Sequence, residues 1–263
     1  MSKTFIFDTP EALRFVKARQ DFIQGFLPNL KVHLGLESAL DVGCGLGDFS
    51  QFLRDSGFQV SALDGRKENV EEAQRRVENV NFRHADVEDA SLATLGSFDL
   101  VLCVGLLYHL ENPFRAIRNL FALTGKVLIV ESRCIPDEST TLYLVDEGML
   151  EDQGLNYVAF YPSEGCLIKM FYRAGFPFVY RFRSFPDHEQ FRQTDTRKRS
   201  RTMLVASQVE LEDPALVLAV EPGNAYDPWL LKWPGLKQRA MNFLRRPWNE
   251  RFQALRRRLG ASA

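Results

Sequence analysis

The chain has 263 residues, 45% hydrophobic and 25% charged, the composition of an ordinary soluble globular protein able to bury a full core. No apolar run approaches the roughly 20 residues of a membrane span, and residues 1–10 lack the apolar core of a signal peptide, so a cytoplasmic protein of one domain with extensions is expected. The net charge of −1 hides an asymmetry, since residues 229–263 carry nine Lys or Arg against Glu250 alone, +8, and leave −9 for the body, a poor match for a long nucleic acid.

Residues 11–34 place Leu13, Phe15, Val16, Phe22, Ile23, Phe26 and Leu27 at broadly helical spacing, interrupted at Gly25 and Pro28. This predicts one or two helices and an N-terminal helical cap over residues 1–35. The stretch that follows organises the chain: Ala39, Leu40 and Val42 lead as a strand into Asp41-Val42-Gly43-Cys44-Gly45-Leu46-Gly47-Asp48-Phe49, and a helical pattern comes after it. Glycines there allow a tight turn and let a ligand approach bare peptide N–H groups beside the positive end of a helix, as in a nucleotide-type cofactor loop. The dinucleotide fingerprint G-x-G-x-x-G/A fails at its third glycine, where Asp48 would repel a pyrophosphate. An NAD oxidoreductase is disfavoured for that reason.

A helix over residues 49–56 ends at Gly57, and residues 58–63 alternate as a second strand ending in Asp64-Gly65-Arg66. Asp64 follows Gly43 at about the spacing at which nucleotide-binding folds set an acid on ribose hydroxyls; the alternative is a helix N-cap for residues 67–78. Residues 80–85 form a third strand, followed by Asp86-Val87-Glu88-Asp89. Residues 98–104 are the most apolar strand, as expected where both faces are covered, and lead into Gly105-Leu106-Leu107-Tyr108-His109-Leu110-Glu111-Asn112-Pro113. A helix over 114–123, with Pro113 in its first turn, and a fifth strand over 125–131 complete an open α/β sheet with right-handed crossovers.

Residues 132–162 break the pattern, and an insertion at the carboxyl edge of such a sheet is the expected specificity element. Ser163 caps a further helix to Ala174-Gly175, and residues 176–182 and 202–207 form a closing antiparallel pair joined by a polar connection. From Trp233 to Leu259 apolar residues keep three-or-four spacing between arginines, broken at Pro247. Such a basic amphipathic helix pair suits a membrane surface or a partner groove, or packs on its own domain or across a homodimer. Any polyanion binding is expected there or at the run Arg197-Lys198-Arg199-Ser200-Arg201. Cys44, Cys103, Cys134 and Cys166 form no C-x-x-C pair and are expected as reduced, mostly buried thiols, with no metal site.

The Asp41-x-Gly43-x-Gly45-x-Gly47 segment resembles the acidic-x-G-x-G-x-G motif of class I S-adenosylmethionine (SAM) methyltransferases. The 105–113 segment resembles the stretch after strand four in methyltransferase-like enzymes, including the carboxymethyltransferase that modifies wobble uridine in tRNA, although Leu110 and Glu111 stand where that enzyme has basic residues. The resemblance covers roughly residues 39–132. It implies a Rossmann-like fold: a seven-stranded, mostly parallel sheet with an antiparallel last strand and helices on both faces. The methyltransferase domain would span residues 36–208 and an extension residues 209–263. It further implies SAM as cofactor, with S-adenosylhomocysteine (SAH) as product, held by Asp41, Gly43, Cys44, Gly45, Gly47, Asp64, Gly65, Arg66, Asp86, Val87 and Val104. In the resembled family the N-terminal helices often cover the cofactor; packing on the sheet edge is the alternative.

The expected activity is O-methylation of a sugar, a saccharide or another small-molecule hydroxyl. The alternatives are a tRNA wobble-uridine modifier using carboxylated SAM, or a catalytically silent subunit tied by its tail to a protein or membrane. His109 is the candidate general base, because histidine's unperturbed pKa suits removal of a hydroxyl proton, with Tyr108 shaping the pocket, since in the resembled tRNA enzyme a matching Tyr faces the transferred group. A loop-structuring His109 is the alternative. Glu131 and Tyr161 lie nearby with no motif behind them.

Overall fold

The computed structural model describes residues 5–147, 154–155, 158–193 and 198–223. The chain divides into two units, residues 1–222 and 223–263. The basic amphipathic tail therefore lies outside the described residues. Among those described, no helix is long and apolar enough to cross a membrane.

Five parallel strands, β1 (Ser38–Val42), β2 (Gln59–Asp64), β3 (Asn81–His84), β4 (Phe98–Val104) and β5 (Thr124–Arg133), alternate with helices α3 (Asp48–Asp55), α4 (Lys67–Arg76) and α5 (Pro113–Leu123). Two helices, α1 (Pro10–Gln24) and α2 (Leu27–Leu34), precede them, breaking near Gly25 and Pro28 as their pattern predicts. After the insertion come α6 (Glu164–Ala174), β8 (Phe178–Phe182), β9 (Arg201–Ser207) and β10 (Leu216–Leu218). The sheet order is β10-β8-β9-β5-β4-β1-β2-β3, with β9 antiparallel to both β5 and β8. The sheet has eight strands rather than seven. The extra one, β10, falls within the segment expected as a C-terminal extension and pairs antiparallel with the edge of β8, burying Leu216 while Val217 and Leu218 stay exposed.

The run of apolar residues in β4 reads without alternation because its two faces meet different helices. Leu100 and Leu102 pack with Ile23, Leu27, Leu30 and Leu53 on one side. Val101 and Cys103 pack with Ile117, Leu120, Leu167 and Phe171 on the other. The last turn of α1, with Ile23, thus packs on the sheet, whereas Phe15 and Arg19 line a cleft at the carboxyl edge.

The insertion folds as its own antiparallel hairpin, β6 (Leu142–Asp146) and β7 (Val158–Pro162), with β7 packed on the short 3-10 turn at Leu107–His109. Its root is tied to α6. Ser163 Oγ accepts from the Cys166 and Thr141 backbone N–H groups at 3.2 and 3.1 Å and donates to the Ser139 carbonyl at 2.6 Å.

Asp41, on β1, is 2% exposed and accepts from Ser50 Oγ of α3 at 2.6 Å. Burial raises its pKa to about 7 against the opposing pull of Ser50, with Asp64 and Asp48 adding to the rise. An acid bound more tightly to its proton in the folded state contributes stability below its unfolded pKa near 4 and loses it as pH climbs through about 7. Asp41→Asn should remove this dependence. Relative to wild type, its unfolding free energy should rise by on the order of 1.4 kcal/mol per pH unit between pH 5 and 7 and level off above, measured by urea denaturation; parallel curves would show that Asp41 is ionised throughout. Ser163→Ala should cost about 1–3 kcal/mol at unchanged m-value, as a helix cap and the hairpin tie are lost together.

Candidate active site

β1 turns into α3 through a loop whose first glycine has no room for a side chain: a Cβ on Gly43, at φ 75°, would lie 2.9 Å from Leu106 of the loop after β4. That close approach shapes the floor of the cleft. The loop is anchored to β2 by Asp64, whose Oδ2 accepts from the Gly45 N–H at 2.9 Å and whose Oδ1 accepts from the Arg66 N–H at 2.8 Å and Asn69 Nδ2 at 3.1 Å. Burial raises the Asp64 pKa, opposed by these hydrogen bonds.

Two adjoining cavities open from this loop and share Gly43, Asp64, Leu106 and His109. The smaller, about 40 Å³, is also lined by Gly65, Arg66, Asp86 and Val87. Leu155 and Gly154 of the insertion lie over it: the Arg66 guanidinium donates to the Gly154 carbonyl, and Leu155 packs where a Gly65 Cβ would come within 2.7 Å. The larger, about 330 Å³, is lined by Gly43, Gly45, Asp64, Val104, Tyr108 and His109 on the sheet side and by Phe15 and Arg19 of α1.

Asp41, Cys44 and Gly47, expected in the cofactor set, line neither cavity. Asp41 is turned to Ser50, Cys44 packs with Ala62, Val70 and Ala73, and Gly47 faces Val77 and Ala73. All three are turned into the protein, where they support the loop. Burial, with Asp41 and Asp64 close by, drives the Cys44 thiol pKa upward and leaves it unreactive.

At the far end, the Leu107–His109 turn delivers two nearly buried rings, Tyr108 and His109, 4.1 Å apart. Nδ1–H of His109 donates to the carboxylate of Glu147, just past β6, and both side chains are buried. A neutral ring held that way presents Nε2 as an acceptor. Behind Tyr108 sits Glu131, fully buried on β5, between Arg19 Nη1 at 3.0 Å and Arg201 Nη1 at 2.8 Å. Burial alone would raise the Glu131 pKa, but the two guanidiniums outweigh it and hold it below the usual range. Arg201 also donates to the Tyr108 hydroxyl at 3.1 Å, and Arg19 and Arg201 both stack on Phe15, at 3.9 and 4.7 Å from its centroid.

Two arginines of the basic run at residues 197–201 are committed to carboxylates inside the protein. Arg201 is buried on Glu131, and Arg199 pairs with the buried Glu164, because alternate residues entering β9 turn to the same inner face. Glu147, Arg19 and Arg133 were missed as site residues. None carries a local motif, although Glu147 lies in an insertion already singled out by position.

Residues 40–126 match the sequence profile of the methyltransferase domain family. The ubiquinone biosynthesis O-methyltransferase of Xanthomonas oryzae pv. oryzae is 34% identical over 113 residues, which cover 41% of this chain and 42% of that protein. The enzyme of the same name from Rickettsia typhi is 31% identical over 105 residues, 37% of this chain and 42% of that protein. The chain thus spans about two-fifths of the length of the curated relatives it matches. Among solved structures, the SAH-bound N-terminal domain of EvdMO1 superimposes with a TM-score of 0.57 at 23% identity, covering 73% of this chain and 80% of that one. The SAM-bound magnesium protoporphyrin IX methyltransferase of Synechocystis PCC 6803 gives 0.52 at 18% identity, covering 79% and 87%. At these identities the structural likeness is one of fold. Sheet order, glycine loop and the match over residues 40–126 agree: the chain carries a methyltransferase domain with the class I SAM-dependent methyltransferase fold.

Proposed function

We propose that the chain binds SAM against the glycine loop and methylates a hydroxyl of a sugar, a saccharide or another small molecule in the adjoining cleft. The observation that carries this reading is the His109–Glu147 pair, buried beside Tyr108 where the two cavities meet. The residues present suit the cofactor. Gly43 and Gly45 leave the backbone bare, and Asp64 is an acceptor-only group able to take ribose hydroxyl donors. Asp41, Asp48 and Asp64 put three carboxylic acids around the loop, which favours a cation over a pyrophosphate. Asp86 and Val87 border the smaller cavity, where the adenine would go once Leu155 swings aside.

Bound SAM would supply a methyl group activated by its sulfonium. The chain's share is alignment, exclusion of water and removal of one proton. An acceptor hydroxyl next to His109 would donate to Nε2, and the ring would take that proton as the oxygen gains its methyl. Glu147 holds the ring's tautomer and stabilises the imidazolium that forms. Tyr108, its hydroxyl fixed by Arg201, walls the pocket. The names of the curated relatives support oxygen as the atom methylated.

Calorimetry should show SAM binding and no NAD binding, and Asp64→Ala should weaken SAM by about 1–3 kcal/mol through loss of charge-assisted hydrogen bonds; unchanged affinity would remove Asp64 from the site. With radiolabelled SAM and a panel of sugars and phenols, His109→Ala should keep SAM binding and lower turnover roughly 10²–10⁴-fold. Glu147→Ala should lower it in the same assay, and the double variant should be little worse than His109→Ala, because the two groups act as one unit. Near-normal turnover in His109→Ala would make that residue structural and leave positioning as the main catalytic contribution.

A further inference from the structure

Arg133 ends β5, two residues past Glu131, so both side chains leave the strand on the same face, and Arg133 lines the cleft. Its environment differs from that of the neighbouring arginines. Arg19 and Arg201 share Glu131, and Arg181 and Arg199 share Glu164. Arg133 has no carboxylate partner among the described residues. Its Nη1 donates to the Tyr161 hydroxyl at 2.6 Å, and its guanidinium lies 5.5 Å from the Tyr108 ring centroid and 5.6 Å from that of Tyr161. Those two rings meet edge to face, 6.2 Å apart at 84°. The aromatic pair therefore fixes the direction of a cation whose remaining N–H donors face a cleft.

Charge around that end of the cleft points the same way. The three guanidiniums of Arg19, Arg133 and Arg201 stand against the two carboxylates of Glu131 and Glu147, the latter bonded to a neutral His109, which leaves an excess of one positive charge. His188 also lines the cleft; burial, with Arg19 and Arg201 contributing, lowers its pKa and favours its neutral form. The remaining acids on the wall are Glu11, at the exposed rim, and Asp64, at the cofactor end. The acceptor end thus holds a net positive charge with one guanidinium fork turned to the cavity.

We infer that Arg133 anchors an anionic group, a carboxylate or a phosphate, carried by the acceptor, an inference that rests on the methyl-transfer reading of the same cleft. Arg133 and His109 both neighbour the Tyr108 ring, the guanidinium at 5.5 Å and the imidazole at 4.1 Å from its centroid. The methylated hydroxyl and the anionic group can therefore sit on one small molecule, as in a sugar acid or a sugar phosphate. A planar fork held at fixed orientation suits either oxyanion, with geometry that a lysine does not reproduce.

The test uses the full chain loaded with SAH and, separately, without it. Acetate and inorganic phosphate are titrated by calorimetry and thermal shift at ionic strength held constant with chloride. At least one should stabilise the protein more than chloride does, and Arg133→Gln should weaken that effect by about tenfold or more, Arg133→Lys by less. Lys17→Gln, on the exposed side of α1, should change nothing. Glucuronate, glucose 6-phosphate and glucose then distinguish the sources: preference for the first assigns a carboxylate and for the second a phosphate, each over neutral glucose. Equal response of wild type and Arg133→Gln, or no excess of either anion over chloride, overturns the proposal. SAH affinity is read in the same titrations: its absence in wild type would defeat the cofactor reading, while the unloaded protein would still decide Arg133.

Discussion

The bidentate clasp of Glu131 by Arg19 and Arg201 is the constraint on which the cleft depends. It joins α1, the centre of the sheet and the antiparallel strand β9 through one fully buried carboxylate. Removing Glu131 would leave two guanidiniums close together in a low-dielectric interior, at a cost well above that of an ordinary hydrogen bond. Because Arg201 also holds the Tyr108 hydroxyl, the clasp sets one wall of the acceptor pocket as well as the seat of the N-terminal helix. Phe15 completes it by offering its ring to both arginines, which replaces water on faces that the carboxylate does not cover.

The cleft is electrically polarised along its length. Its glycine-loop end is lined by Asp64, and its far end gathers Arg19, Arg133 and Arg201. A cationic cofactor is attracted to the first end and repelled from the second. Such a gradient orients ligands before any contact is made, because charges facing a poorly solvated cavity are little screened.

The insertion after β5 touches every part of this arrangement. Glu147 holds His109, Leu155 overlies Gly65, Tyr161 meets Arg133, and Ser163 secures the hairpin to α6. The insertion therefore supplies both the residue over Gly65 and the partner of the proposed base.

The sequence by itself determined the alternation of strands and helices, the glycine loop and the acid at the end of β2. Each depends on neighbours within a few residues, through side-chain periodicity and backbone sterics. Tyr108 and His109 were legible in the same way, because a buried central strand must end at the carboxyl edge. The hairpin, the eighth strand and the partners of the charged residues were decided only by the tertiary structure. Arg19 lies 112 residues from Glu131 and Glu147 lies 38 from His109, separations across which no local pattern persists. Which cation meets which carboxylate follows from the order of strands in the sheet and from the burial that forces each charge to find a partner.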